Sequence, residues 1–146
     1  MSLAASKRAG ERSESAAIEV LPWLRYVNDE TAEHYDAVVR EDTDELSADD
    51  VVEIKSAAVV LADERPGMWY LRKGQHDRLV ADEGWYLLVV SAPQADRQVL
   101  AHQFVRAAAF EAAHLDGWWD GGERADFRQV RWTAVFEQAD LTEGTQ

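Results

Sequence analysis

The sequence predicts an α/β fold, a mixed β-sheet flanked by helices. Three observations predict it. Residues 36–40 (DAVVR), 51–61 (VVEIKSAAVVL) and 85–92 (WYLLVVSA) have strand length and β-branched or apolar character. Residues 10–21, 73–83 and 95–115 read as helices. The two kinds alternate along the chain, as they do when helices cover a sheet.

Each element has its own warrant. In GERSESAAIEVL, residues 10–21, Ala16, Ala17, Val20 and Leu21 form an apolar stripe at helical spacing, and Pro22 ends it. A short strand at 36–40 is followed by a polar turn, EDTDELSADD, at 41–50. Residues 51–61 are strand-like at least through Lys55, and 62–68 form a loop. Residues 69–72 suit a short strand, and the helix at 73–83 is ended by Gly84. Residues 85–92 are the most apolar run, which predicts a central strand buried on both faces and closed by Pro93. In the long helix predicted at 95–115, Leu100, Phe104, Ala107, Ala108, Glu111 and Leu115 share a face that is apolar except for Glu111. A Gly/Trp loop, DGWWDGG, precedes a last strand at 128–136.

A chain of 146 residues with 47% hydrophobic residues suits one domain over 1–146, with frayed tails at about 1–9 and 139–146. No apolar run reaches the roughly 20 residues of a membrane span, and MSLAASKRAGERSESAA is not a secretory signal. Cysteine is absent, which excludes disulfides and thiolate metal sites. A cytoplasmic location is expected. The formal net charge is -13, from 28 acidic and 15 basic residues, and such a balance repels nucleic acid. Only Lys7, Lys55 and Lys73 among the basic residues are lysines. Abundant Asp and Glu with scarce Lys suit a high-salt interior, where repulsion is screened within a few Å, so a halophilic source is expected. In a chain that mostly uses Arg, Lys55 is informative, because a compact ammonium is harder to replace in chemistry than on a surface.

The strands at 36–40 and 51–55 flank one polar turn. As a hairpin, they bring the start of the first beside the end of the second. Glu53 and Lys55 share one face and Ile54 points to the other. A turn centred near Glu45 puts Asp36 opposite Ile54. A one-residue shift or a bulge, which so long a turn accommodates, brings Asp36 to the Glu53 and Lys55 face, and that shift is expected. Two carboxylates and an ammonium then converge. A hard cation relieves the repulsion between close carboxylates, and Mg²⁺ commonly takes one or two of them plus water and phosphate. Lys55 is placed to orient or help deprotonate an attacking water.

HYDAVV, a polar spacer and VVEIKSA together resemble the PD-(D/E)xK nuclease superfamily, which includes restriction endonucleases and archaeal Holliday junction resolvases. The resemblance covers roughly residues 10–92 and implies a restriction endonuclease-like fold. It implies a catalytic set of Asp36, Glu53 and Lys55. The metal, Mg²⁺ or Mn²⁺, would lie on Asp36, Glu53 and the Ile54 backbone carbonyl. An acidic residue on the preceding helix, four after a Gly, is matched by Gly10 and Glu14, with Glu11 as the rival. In YLRKGQHDRLVADEGWYLLVV a basic segment and a helix bearing Gln precede an apolar strand, which gives Gln75 a water- or DNA-positioning role. Tyr35 stands where the motif has Pro. DNA is the implied substrate, in repair, recombination or restriction, and a homodimer would present two sites to a duplex.

Blander readings stand beside these. Glu-x-Lys alone is usually a surface ion pair, and its weight comes from Asp36, the β-branched flanks and Glu14. Arg65, Arg72, Lys73 and Arg78 form a dense basic stretch in which Arg72, Lys73 and Arg78 are the candidate phosphate contacts; the alternative is a solvated face paired with Asp77, Asp82 and Glu83. His34, His76, His102 and His114 lack the spacing of a zinc site and are read as surface or core. Trp69, Trp85 and Trp132 are read as core. Trp118 and Trp119 pack the core or a dimer partner ahead of stacking on bases. Beside the active nuclease stand a catalytically silent nuclease fold used for binding or structure, and an unrelated acidic interaction domain.

Overall fold

The structure, a computed structural model, describes residues 21, 23–26, 35–61, 63–92 and 99–141. The predicted helix at 10–21, except for Leu21, lies outside the described residues, and so does Glu14. Among the described residues the strands are β1 (Leu24–Tyr26), β2 (Ala37–Val39), β3 (Val51–Ala58), β4 (Met68–Arg72), β5 (Trp85–Ser91), β6 (Val99–Arg106) and β7 (Phe127–Arg131). The helices are α1 (Lys73–Ala81) and α2 (Ala107–His114). Short 3-10 turns follow at Trp132–Ala134 and Gln138–Asp140.

The main sheet has the order β1-β2-β3-β5-β6, and β3 and β5 run parallel while the other neighbours are antiparallel. Every residue of β5 is buried, which is what an apolar run between two strands and two covered faces requires. Alternation then sorts its side chains into two cores. Tyr86, Leu88 and Val90 face a cluster with Trp69, Leu71, Leu79, Phe110 and Trp132. Trp85, Leu87 and Val89 face the other, with Leu24, Val39, Leu46, Val52 and Ile54. Fully burying one such aliphatic side chain contributes roughly 1.5–3 kcal/mol.

The parallel β3–β5 connection runs through β4 and α1, over the first of these cores. β4 leaves the main sheet and pairs antiparallel with β7 as a separate two-stranded sheet. The crossing is close at Gly67, whose N–H donates to the Ala58 carbonyl at 3.0 Å. A Cβ there would lie 2.2 Å from that oxygen, so only glycine fits. α1 stops at Ala81, and Glu83 supplies the left-handed turn (φ 56°). Gly84 is needed for a different reason than the one its position suggested: a Cβ would meet the buried Leu79 at 2.4 Å.

One predicted element is corrected. Residues 95–115 are not one helix: Val99–Arg106 pair with β5 as β6, and the helix begins at Ala107. Residues four apart share a side in a regular strand as well as in a helix, so the Leu100/Phe104 spacing could not discriminate, and the register of β6 shifts at Leu100. β-branched Val99 and Val105 and aromatic Phe104 favour the strand. The predicted last strand is also shorter, because Trp132 turns inward: its N–H donates to the Gly67 carbonyl and its indole N–H to the Val59 carbonyl at 2.8 Å.

Candidate active site

β3 pairs with β5 so that Glu53 lies beside Tyr86 and Lys55 beside Leu88. Both charged residues therefore stand on the same face as Val51 and Ala57, against the core that α1 and β4 cover. Their side chains are 13% and 17% exposed, and Lys55 Nζ lies 3.6 Å from Glu53 Oε1. Each charge offsets the other where solvent is scarce, a condition for keeping charges at such a place.

Asp36 reaches this strand from β2. Ala37 pairs with Val52 and Val38 with Val51, and continuing that register by one residue sets Asp36 opposite Glu53. A turn centred on Glu45 would have set it opposite Ile54. The turn that fixes the actual register is internally bonded. Thr43 Oγ1 accepts from Leu46 N–H at 2.9 Å, Asp42 Oδ1 from Ala48 N–H at 2.8 Å and Asp50 Oδ2 from Ser47 N–H at 2.9 Å, while Leu46 is buried. At the end of β2 the Asp36 N–H donates to the Val52 carbonyl at 2.8 Å. Its carboxylate Oδ2 accepts the Ile54 N–H at 2.9 Å. The N–H and C=O of a strand residue point to the same side, so the Ile54 carbonyl leaves β3 on the side of the Asp36 carboxylate.

Asp36, Glu53 and the Ile54 carbonyl offer oxygen donors only, the kind a hard divalent cation takes. Among the described residues no group of three or more His, Cys, Asp or Glu side chains is gathered for a metal. Of the three candidate carboxylates, Asp36 and Glu53 are described and Glu14 lies outside the described residues.

Beside Glu53 a polar chain that the sequence did not reveal runs from the buried Tyr86 and His76 to the half-exposed Glu111. His76 is 1% exposed; its Nδ1 lies 2.7 Å from the Tyr86 hydroxyl and its Nε2 3.0 Å from Glu111 Oε1. In the neutral imidazole, an Nε2–H that donates to the Glu111 carboxylate leaves Nδ1 to accept from the Tyr86 O–H. Burial, then the negative charges of Glu53, Glu111 and Asp77, push the Tyr86 hydroxyl far above its ordinary pKa, which keeps that proton in place. The sequence held one clue: Glu111 interrupts an otherwise apolar face.

The remaining candidates are spread along the β4–α1 segment. Gln75 is half-buried in the first turn of α1. Arg72 and Lys73 are exposed at the junction, and Lys73 Nζ bonds Asp77 Oδ2 at 2.8 Å, which raises the lysine's pKa. Arg78 is exposed in the last turn of α1, and Arg65 bonds Asp63 at 2.6 Å. Of the tryptophans read as core, Trp69, Trp85 and Trp132 are all buried. Trp118 packs against His76, with ring centroids 5.3 Å apart, whereas Trp119 is 42% exposed.

Comparison with known proteins adds to this geometry. No curated protein matches the chain. Among solved structures, a nuclease from a fusselovirus is similar at 10% identity, with a TM-score of 0.43, covering 98% of this chain and 84% of that one. The sequence profile of the PD-(D/E)XK nuclease superfamily domain matches residues 1–137. Its nucleases generally use divalent metal ions. With a mixed sheet whose third strand carries Glu53 and Lys55 beside Asp36, and with a profile match over nearly its whole length, the chain belongs to the PD-(D/E)XK nuclease superfamily.

Proposed function

We propose that the chain is a Mg²⁺- or Mn²⁺-dependent deoxyribonuclease acting in repair, recombination or restriction. The observation that carries this reading is the β2–β3 register, which sets Asp36 opposite Glu53 while Lys55 stands 3.6 Å from Glu53. Asp36, Glu53 and the Ile54 carbonyl are the residues that would hold the metal, with Glu14 as a further carboxylate. A divalent ion supplies charge neutralisation at the phosphate and a more acidic water. Asp36 presents its carboxylate from a fixed position, because the Ile54 N–H holds Oδ2. Lys55 orients the attacking water and offsets the charge that builds on the phosphate oxygens. The apolar floor of Tyr86 and Leu88 excludes bulk water beneath the pair and strengthens both interactions. Gln75, at the start of α1, positions water or DNA. Arg72, Lys73 and Arg78 line the β4–α1 segment as phosphate contacts. Two copies of so small a domain would engage a duplex as a homodimer, and the setting is the cytoplasm. No helix among the described residues is long and apolar enough to cross a membrane.

The test is cleavage of supercoiled plasmid, branched DNA and a matched RNA in high KCl with Mg²⁺ or Mn²⁺, comparing wild type with Lys55→Ala. The expected result is metal-dependent cutting of DNA that EDTA and Lys55→Ala both abolish. A folded wild-type protein that cuts none of the substrates but binds them would replace this reading with a binding role for the fold. Cutting of RNA alone would replace the substrate.

A further inference from the structure

The outer face of the β4–β7 sheet gathers aromatic rings at the surface. Trp69, Leu71 and Val130 are buried beneath the two strands, so Tyr70, Arg72, Phe127, Gln129 and Arg131 take the other side. Trp119 bridges to Phe127 as a further antiparallel neighbour and joins that row. Among the described residues the exposed large hydrophobic side chains are Tyr70, at 40%, and Trp119, at 42%. Both rest on the same ring. Tyr70 stacks on Phe127 at 5.3 Å with 13° between the planes, and Trp119 meets Phe127 edge-on at 5.5 Å.

The two strands that carry Tyr70 and Phe127 depart in charge from the rest of the chain. Neither MWYLR nor FRQVR contains an acidic residue, although the sequence has 28, and Arg72 and Arg131 are exposed at the two ends of the face. Three carboxylates of the neighbouring loop have local partners, Asp116 with Arg128 at 2.6 Å, Asp120 with the Gly122 N–H at 2.7 Å and Asp126 with the Gly121 N–H at 3.5 Å, while Glu123 is exposed beside Arg124 in the sequence. Arg128 also lies 4.9 Å over the Trp119 ring, which fixes it.

We propose that this face, with Tyr70, Phe127 and Trp119 as stacking rings and Arg72 and Arg131 as phosphate contacts, binds an unpaired nucleic-acid strand. The inference rests on the nuclease reading and assigns its substrate an unpaired segment. Duplex bases are shut inside their stack, whereas splayed bases lay their faces on exposed aromatics while arginines hold the backbone. A second copy of the chain fits the face less well, because a two-fold contact would set Arg72 and Arg131 against each other or against their own copies, with no carboxylate on either strand to match them. Arg72 immediately precedes α1, so the bound strand would run toward the β4–α1 junction.

The experiment is fluorescence anisotropy of a mixed-sequence, fluorescein-labelled DNA oligonucleotide, single-stranded or annealed as a blunt duplex. EDTA prevents cleavage, and KCl is the lowest at which the chain stays folded. Wild type is expected to bind the single strand roughly tenfold or more tightly than the duplex. Tyr70→Ala with Trp119→Ala is expected to lose single-strand affinity by roughly tenfold or more, with an unchanged circular dichroism spectrum, whereas Trp119→Phe keeps most of it. Wild-type affinity in the double variant, or equal wild-type affinity for single strand and duplex, would overturn the proposal. So would a dimer that sedimentation velocity finds in wild type and loses in the double variant, which would make the face a subunit contact. Plasmid cutting that depends on Lys55 but is accompanied by no single-strand binding would remove this face while leaving the nuclease reading intact.

Discussion

The carboxylate of Asp36 completes the hydrogen bonding of the neighbouring strand: its Oδ2 accepts the Ile54 N–H at 2.9 Å where β2 has run out. One side chain thereby does two jobs. It closes the end of a sheet ladder, and it holds a negative charge in a fixed place opposite Glu53.

Those two jobs separate by mutation. Asp36→Asn keeps an oxygen acceptor for the Ile54 N–H and removes the charge. Thermal melting of the metal-free protein should shift little, while Mn²⁺ binding by calorimetry and cleavage should both fall, cleavage by roughly 100-fold or more. Asp36→Ala removes the acceptor as well, and the part-buried Ile54 N–H loses its partner. That variant should be less stable than Asp36→Asn by about 1 kcal/mol. Equal stability of the two would show that the ladder end is satisfied by water.

Lys55 tests whether charge alone suffices. Lys55→Arg keeps a cation within reach of Glu53 but replaces a compact ammonium by a planar fork. Melting temperature should stay near wild type, while the cleavage rate should fall by roughly 100-fold, close to Lys55→Ala. An arginine variant with near-normal rate would reduce Lys55 to an electrostatic neighbour of Glu53.

How far the sequence disclosed this arrangement depended on how local each signal was. β5 was legible because a continuous apolar run needs no partner to explain it. Glu53 and Lys55 were legible because strand alternation alone puts them on one face. The Asp36 register was harder. It is set by Thr43, Asp42 and Asp50 bonding within the turn and by Leu46 entering the core, none of which shows in a hydrophobic pattern. β6 was not legible, because four-residue spacing serves a helix and a strand alike. Convergence across distance was not legible: Tyr70 and Trp119 meet at Phe127, and His76 joins Tyr86 to Glu111, only because α1, β7 and α2 fold over one face.

The His76 chain has a signature in alkali. The ordinary tyrosine value is 10.0, and burial with three nearby carboxylates raises that of Tyr86 well above it. Above about pH 10 the unfolded chain releases this proton and the folded chain retains it, so fewer protons are bound in the unfolded state and stability falls as pH rises. Below that pH the contribution is fully present. Thermal melts from neutral pH to pH 11 should therefore steepen downward near pH 10, and Tyr86→Phe should flatten that limb. The same variant leaves His76 Nδ1 without its donor and should cost roughly 1–3 kcal/mol at neutral pH. A limb unchanged in Tyr86→Phe would assign the alkaline loss to other groups.

Salt should act on the folded chain and on its substrate in opposite directions. A formal net charge of -13 on 146 residues destabilises the compact state through self-repulsion. Screening shortens from about 10 Å at 0.1 M to about 3 Å at 1 M, so the melting temperature should climb over that range by roughly 2–4 °C, the equivalent of about 1 kcal/mol in a chain of this length. NaCl should do the same as KCl if screening is the cause. Binding of the proposed DNA substrate should move the other way, because each phosphate contact made by Arg or Lys releases a counterion and weakens as salt rises. Cleavage measured against KCl should then pass through a maximum. On its rising side kcat should increase with the folded fraction, and on its falling side KM should increase while kcat holds. A rate that falls steadily from the lowest salt, in a chain whose melting temperature does not change, would remove the high-salt adaptation and leave only the counterion effect.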